Sequence, residues 1–266
     1  MIYLTDIDFS QRLERAEGRA ATRFVEARAR FDPAVRAAWT ELAGAYLLYD
    51  GPDSPATQTF GLGLFGLPST GEMQQIEEFF ESRGAPVFHE VSPLADPGML
   101  GLLSERGYRP VELTSMLVQP LAERQLAKAE ILVREADRKE GDLWANTAAG
   151  GWRGAVEISD SLLGLMRMMG DTEDLRIYFA EIDGRPVATG ALAVHAGVGL
   201  LAGASTLPEW RNRGAQRALL EHRLSCARAS GCELAMMGAA PGSASQRNAE
   251  RHGFRIVYTR IKWGRR

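Results

Sequence analysis

From residue 131 onward, the spacing of apolar positions switches between strand and helix periods in a regular order. A short alternating run at 131–135 predicts a strand, and helical spacing follows at 137–149 and 157–169. Three segments, 174–182, 186–194 and 198–206, predict strands, with turns at Asp183-Gly184 and near Ala196-Gly197. Segment 214–230 reads as an amphipathic helix. Arg217, Glu221, Ser225 and Arg228 form its polar stripe, while Ala218, Leu219 and Cys226 face a core. A strand at 233–237, a helix at 243–252 and a strand at 254–263 complete this half.

The first half ends in the same order, with a helix at 72–82, a strand at 85–91, a helix at 98–105 and a strand at 111–118. Short motifs recur as well. Gly107-Tyr108-Arg109 matches Gly253-Phe254-Arg255, and Ser82-Arg83-Gly84 matches Ala229-Ser230-Gly231 at almost the same offset. Segment 46–51 (YLLYDG) resembles 178–184 (YFAEIDG) at a shorter offset, as though the first half lacked a strand and its turn. The polar stretch 121–130 reads as a linker. The expected architecture is α+β: two tandem units, 1–120 and 131–266, each a mixed, mostly antiparallel sheet flanked by helices.

Composition narrows the function. A chain of 266 residues exceeds one average core, and 45% apolar residues suffice to pack two. The formal net charge of −3 gives no pull toward nucleic acid or an anionic membrane, so neither is expected as a partner. Basic charge is nearly all arginine, with lysine only at Lys128, Lys139 and Lys262. Cys226 and Cys232 cannot staple a chain of this size and fit a reducing, cytoplasmic setting. Their spacing, and the scattered His89, His195, His222 and His252, match no metal pattern. The N-terminus carries acids where a secretion signal needs basic and then apolar residues. The longest uncharged run, 186–208, is too weakly apolar for a membrane helix.

Gly61-Leu62-Gly63-Leu64-Phe65-Gly66 spells a dinucleotide-binding fingerprint. That motif should open straight into a helix, yet Leu67-Pro68-Ser69-Thr70 intervenes and no βαβ unit surrounds it, so it reads as a glycine-bearing strand. No phosphate-binding P-loop, nucleophile-elbow or HExxH pattern occurs, which leaves phosphoryl transfer, serine hydrolysis and zinc proteolysis without support.

The segment that carries chemistry runs from Leu207 to Leu220 (LPEWRNRGAQRALL). A strand ends at a proline, a basic loop follows, and a helix starts at Gly214. Free N–H groups and the dipole at a helix start attract an anion, and a glycine lets the backbone approach a phosphate. Arg211, Arg213 and Arg217 add positive potential. The plainer alternative is a surface turn made soluble by arginines.

This loop resembles the pyrophosphate loop of the GNAT (Gcn5-related N-acetyltransferase) superfamily, Arg/Gln-x-x-Gly-x-Gly/Ala at a strand-to-helix turn. Arg211 fills the first position and Gly214 the fourth; Gln216 departs from the sixth. A second match, 241–254 (PGSASQRNAERHGF), resembles the family's motif ending in Gly-Phe, whose helix packs beside the pantetheine arm. Together the motifs cover the second half of the chain, as a tandem arrangement with a degenerate N-terminal copy. The resemblance implies acetyl-CoA as co-substrate, with no metal, and a small-molecule or peptide amine as acceptor. It implies contacts to the coenzyme from Thr206, Leu207, Arg211, Asn212, Arg213, Gly214, Ala215, Gln216, Arg217, Ser245 and Asn248. Capping and solvation are the alternative roles for the polar residues near 243–248, and capping is favoured for Ser243.

The resemblance also implies direct attack of an amine on a thioester whose carbonyl is polarised by a backbone N–H near Leu207. Many relatives carry a tyrosine four residues before the Gly-Phe glycine, where this chain has Ala249. Tyr258, Ser245 or a water is then the candidate acid, and Glu181 and His195, on strands flanking the expected cleft, are candidate bases. Solvent-facing positions in strand and turn are their alternative roles. A CoA-binding sensor or scaffold without turnover is the competing reading, and an interaction module binding some other anion is a third. Nothing in the sequence sets the acceptor, and it leaves room for an oligomer.

Overall fold

The computed structural model describes residues 5–121, 131–153 and 160–265, the side chains of residues 160 and 161 excepted. In chain order the elements are α1 (Ile7–Phe31), β1 (Ala38–Leu42), β2 (Ala45–Tyr49), β3 (Gln58–Phe60), α2 (Thr70–Glu81), β4 (Val87–Val91), α3 (Gly98–Glu105) and β5 (Arg109–Pro120). They continue with β6 (Leu132–Glu135), α4 (Gly141–Trp152), α5 (Asp160–Met168), β7 (Leu175–Ile182), β8 (Arg185–His195), β9 (Val198–Thr206), α6 (Ala215–Ala229), β10 (Leu234–Ala239), α7 (Ala244–Arg251) and β11 (Arg255–Arg265). The stretch expected as a linker lies, from residue 122 on, outside the described residues, as do positions 157–159 of the helix expected at 157–169.

Contacts group the chain into two compact units, and not into the contiguous 1–120 and 131–266 that the sequence suggests. One unit is Met1–Gln119 together with Met236–Arg266; the other is Pro120–Ala235. The reason is strand pairing. β11 pairs antiparallel with both β4 and β5, so the last strand of the chain completes the sheet of the first unit.

In that first unit the strands run β1-β2-β3-β4-β11-β5, antiparallel except for β3 beside β4. Leu47, Leu62, Met73, Ile76, Phe80, Val87 and Leu103 fill its main core. The helix α1 has no counterpart in the sequence reading. Asp6 caps it by accepting from the Phe9 N–H at 2.9 Å, and Val25 packs with Leu48 and Phe60. Its apolar stripe is hard to read because Ser10, Glu14 and Thr22 are buried along with it. The stretch from Gly61 to Gly66 is a turn and not the expected strand. Gly61 (φ 82°) and Gly63 (φ 80°) take left-handed backbone, and a Cβ at Gly63 would lie 2.4 Å from Met99 Cγ. No dinucleotide loop forms, since the following helix starts only at Thr70.

The second unit contains an antiparallel meander, β6-β7-β8-β9. Its expected turns are present. Asp183 and Gly184 (φ 53° and 72°) and Ala196 and Gly197 (φ 47° and 74°) are left-handed pairs, as two-residue hairpin turns require. Helices cover both faces. Ala191 packs in a cluster with Trp144 of α4, and its neighbour Gly190 faces Arg223 of α6. In the first unit three strands precede α2, and in the second four precede α6. No described helix is long and apolar enough to cross a membrane.

Candidate functional site

The site is built on the end of β9. Ala191 pairs with Ala202 and Thr189 with Ser205, so Gly203 and Ala204 together oppose Gly190: a β-bulge. Gly203 is left-handed (φ 61°), and a Cβ there would lie 2.8 Å from the Trp144 ring. Three successive carbonyls around the bulge accept from three side chains. Arg223 donates to Ala202 O at 3.1 Å, Thr189 to Gly203 O at 3.2 Å and the Trp152 indole to Ala204 O at 3.2 Å. A hydrogen-bonded strand edge is thereby replaced by a fixed kink whose peptide groups leave the regular ladder.

After β9 the chain turns through Pro208–Trp210 into a loop in which Asn212 (φ 62°) and Gly214 (φ 88°) are left-handed. Such alternation turns successive N–H groups inward, as in an anion-binding nest. α6 starts at Ala215 with Gly214 as its N-cap and no side-chain cap. Its first N–H groups have no partner within the helix, and the helix dipole leaves partial positive charge there. The arginines divide the work. Arg211 donates to Thr206 O and Gly151 O and straps the loop to α4. Arg217 pairs with Glu221, and Arg213 is exposed, lying over the Trp210 ring at 4.8 Å. Gly150 and Gly151 let α4 press on β9: a Cβ on Gly151 would meet Ser205 Oγ at 2.5 Å. Sequence reasoning missed Trp152, Thr189 and Arg223, and no local motif marks them.

Glu181, His195 and Tyr258, the expected catalytic side chains, each have a defined setting. The Leu207 N–H donates to Val187 O at 3.0 Å, so it is not available to polarise a thioester. Glu181 accepts from Arg134 Nε at 2.7 Å, and Arg134 also holds Glu140. Pinned on β7 beside the outer strand β6, Glu181 is an ion-pair partner. His195 pairs with Val198 at the far end of the hairpin. Val198 lies five strand positions before Gly203, roughly 16 Å, too far for direct proton transfer at the bulge. Tyr258 belongs to the first unit, where it is buried and donates to Glu14 Oε1 at 2.9 Å; burial raises its pKa well above the ordinary tyrosine value. Ser245, exposed, and Asn248, half-buried, lie on α7 in the first unit. Ser243 caps that helix by accepting from the Gln246 N–H, the role its spacing suggested.

The helix that follows β3 in the first unit offers a contrast. Ser69 and Glu72 form a reciprocal capping box at the start of α2, the Glu72 carboxylate accepting from the Ser69 N–H at 2.8 Å and from its hydroxyl at 2.7 Å. Its N-terminus is already filled by the chain's own carboxylate. Among the described residues, no group of histidine, cysteine, aspartate and glutamate could hold a metal ion.

The model of the acetyltransferase (GNAT) family matches residues 146–254, which include the bulge, the loop and α6. A search of curated proteins returns no match. Among solved structures, a GCN5-related N-acetyltransferase from Kribbella flavida superposes with a TM-score of 0.69 at 18% identity, over 96% of this chain and 95% of that one. A GNAT-family acetyltransferase structure from Novosphingobium aromaticivorans gives 0.56 at 16%, over 93% and 99%. A tandem GNAT protein from the clavulanic acid biosynthesis pathway gives 0.58 at 15%, over 83% and 78%. Residues 146–254 are a domain of the GNAT acetyltransferase family, carried in a chain that has the α+β fold of GNAT proteins.

Proposed function

We propose that the chain is an acetyl-CoA-dependent N-acetyltransferase whose acceptor is a small-molecule or peptide amine. The observation that carries this reading is the uncapped start of α6 at Gly214, set directly behind the bulged end of β9. A diphosphate fits the first, which offers converging N–H groups beside Arg213 and Arg217. A thioester carbonyl fits the second, where peptide groups leave the ladder. The match of 146–254 to an acetyltransferase family supports the same assignment. With the coenzyme held so, the amine nitrogen attacks the thioester carbonyl carbon. A C–N bond forms, the C–S bond breaks, the amine proton passes to water, and the thiolate leaves protonated as CoA. The bulge amide stabilises the negative oxygen between those events.

The first unit, on this proposal, is a degenerate copy that binds no CoA. Its helix start is closed by Glu72, and no basic residue lies between Phe60 and Phe80. A second reading, a CoA-binding sensor without turnover, is favoured by one observation: Glu181, His195 and Tyr258 are all engaged or distant. Thiol release measured with acetyl-CoA and a panel of small amines, antibiotics and peptide N-termini separates the two. Turnover with any acceptor supports the enzyme; tight binding with none supports the sensor. Acetyl-CoA that neither binds nor raises the melting temperature overturns both.

A further inference from the structure

Arg223 sits in the middle of α6 with 1% of its surface exposed. Among the described residues it has no carboxylate partner, its hydrogen bonds going to backbone carbonyls, and burial lowers its pKa to about 10, still charged at neutral pH. An unpaired cation is a costly way to fill a core, since an apolar side chain of similar volume avoids the desolvation. What it does there is donate. Nε reaches Leu219 O at 3.2 Å on its own helix, and Nη1 reaches Ala191 O on β8 and Ala202 O on β9, both at 3.1 Å. Ala191 and Ala202 are the register pair at one edge of the bulge. Gly190, which opposes the bulge, is a glycine for the same reason: a Cβ there would lie 2.8 Å from Arg223 Cζ.

We infer that Arg223 is a positioning residue for the acyl group, acting through the peptide between Ala202 and Gly203. Two effects follow from the geometry. One guanidinium nitrogen bonded to carbonyls on both strands fixes where the ladder stops and the bulge begins. A cation on the Ala202 carbonyl also polarises that peptide group, which makes the N–H on its other side, at Gly203, a stronger donor. A stronger, fixed donor at the bulge is what a developing oxyanion needs. The inference rests on the acetyl-CoA reading of the site and adds to it a charge outside the loop that the sequence motif describes.

The test uses full-length wild type, Arg223→Met, Arg223→Lys and Gly190→Ala. Acetyl-CoA labelled with carbon-13 at the carbonyl is bound to each, and its carbonyl stretch is read by infrared difference spectroscopy beside CoA affinity, melting temperature and turnover. In wild type the stretch shifts to lower frequency than in water. Arg223→Met should lose most of that shift and about tenfold or more in kcat, while keeping CoA affinity within about threefold, because the phosphate loop is untouched. Arg223→Lys should fall between. Gly190→Ala, whose methyl displaces the guanidinium, should reproduce the spectroscopic loss and serves if the methionine variant does not fold. A folded Arg223→Met or Gly190→Ala with the wild-type stretch overturns the inference while leaving the acetyl-CoA reading intact. Wild type that binds no acetyl-CoA overturns both.

Discussion

Nη2 of Arg211 donates to the carbonyl oxygen of Gly151 at 2.9 Å. This bond ties the loop before α6 to the last turn of α4; both arginines are exposed, but Arg211 is held by backbone carbonyls whereas Arg213 lies over the Trp210 ring. The two substitutions should therefore behave differently. Arg211→Ala should lower stability by about 1 kcal/mol and weaken CoA binding at any salt concentration, because a charged donor to the backbone is lost. Arg213→Ala should leave the melting temperature unchanged and weaken binding mainly at low ionic strength, as screening of an exposed charge demands. Calorimetric titration at two salt concentrations, beside thermal melts, decides it. Identical salt dependence in the two variants would reject this division of roles.

A second prediction uses Gly214. Its φ of 88° is left-handed, and a side chain there would have ordinary contact with Ile131 Cδ1 at 3.5 Å, so space is not the obstacle. Gly214→Asp should fold, since aspartate tolerates this backbone better than most residues and is a good N-cap. Its carboxylate would occupy the start of α6 much as Glu72 occupies that of α2. CoA affinity should fall by two orders of magnitude or more, roughly the loss of several charge-assisted bonds. Unchanged affinity in the folded variant would remove the loop from the coenzyme site.

The same contrast fixes stoichiometry. One CoA should bind per chain, at the second unit alone. The repeat offset sets Phe65 and Pro68 opposite Arg211 and Gly214; aligning the helix starts sets Ser69 opposite Gly214, one residue further on. In either alignment the first unit lacks the arginine and the open glycine. Titration that returned two sites of similar affinity would refute it.

How much of this was legible in the sequence depends on how local each signal is. The turns at Asp183-Gly184 and Ala196-Gly197 were readable because left-handed pairs leave a mark in composition. The loop from Arg211 to Gly214 was readable because a proline ends the strand, arginines follow and a glycine opens the helix. The similar pair Ala43-Gly44 (φ 49° and 75°) between β1 and β2 carries the same mark and could have revealed that hairpin. By contrast, Trp152, Thr189 and Arg223 act through backbone carbonyls far along the chain, and a carbonyl has no letter of its own. Tyr258 misled because a strand's pairing partner is not written in the strand. β11 joins the first unit's sheet, and its tyrosine turns to Glu14 on a helix whose apolar stripe is broken by buried polar residues.

That cluster carries the last prediction. Glu14 is buried between Tyr258 and Arg260, and Arg260 also reaches Glu17 and Glu90. Burial, opposed by Arg260, raises the Glu14 pKa from 4.5 to about 7. The folded chain therefore holds a proton on Glu14 that the unfolded chain has released, between about pH 4.5 and 7. Stability linked to Glu14 is full below the unfolded pKa and is lost as pH rises through the folded one. Glu90 and Asp50, also raised by burial, tilt the wild-type profile the same way, so the diagnostic quantity is a difference. Glu14→Gln keeps an oxygen for the Tyr258 hydroxyl and leaves Arg260 with Glu17 and Glu90. Relative to wild type it should gain stability steadily from pH 5 to pH 7.5, while Tyr258→Phe should cost about 1 kcal/mol of stability and leave CoA affinity unchanged. Urea unfolding across that range measures both. Parallel profiles for wild type and Glu14→Gln would show that the carboxyl titrates below the window, held ionised by Arg260 despite its burial.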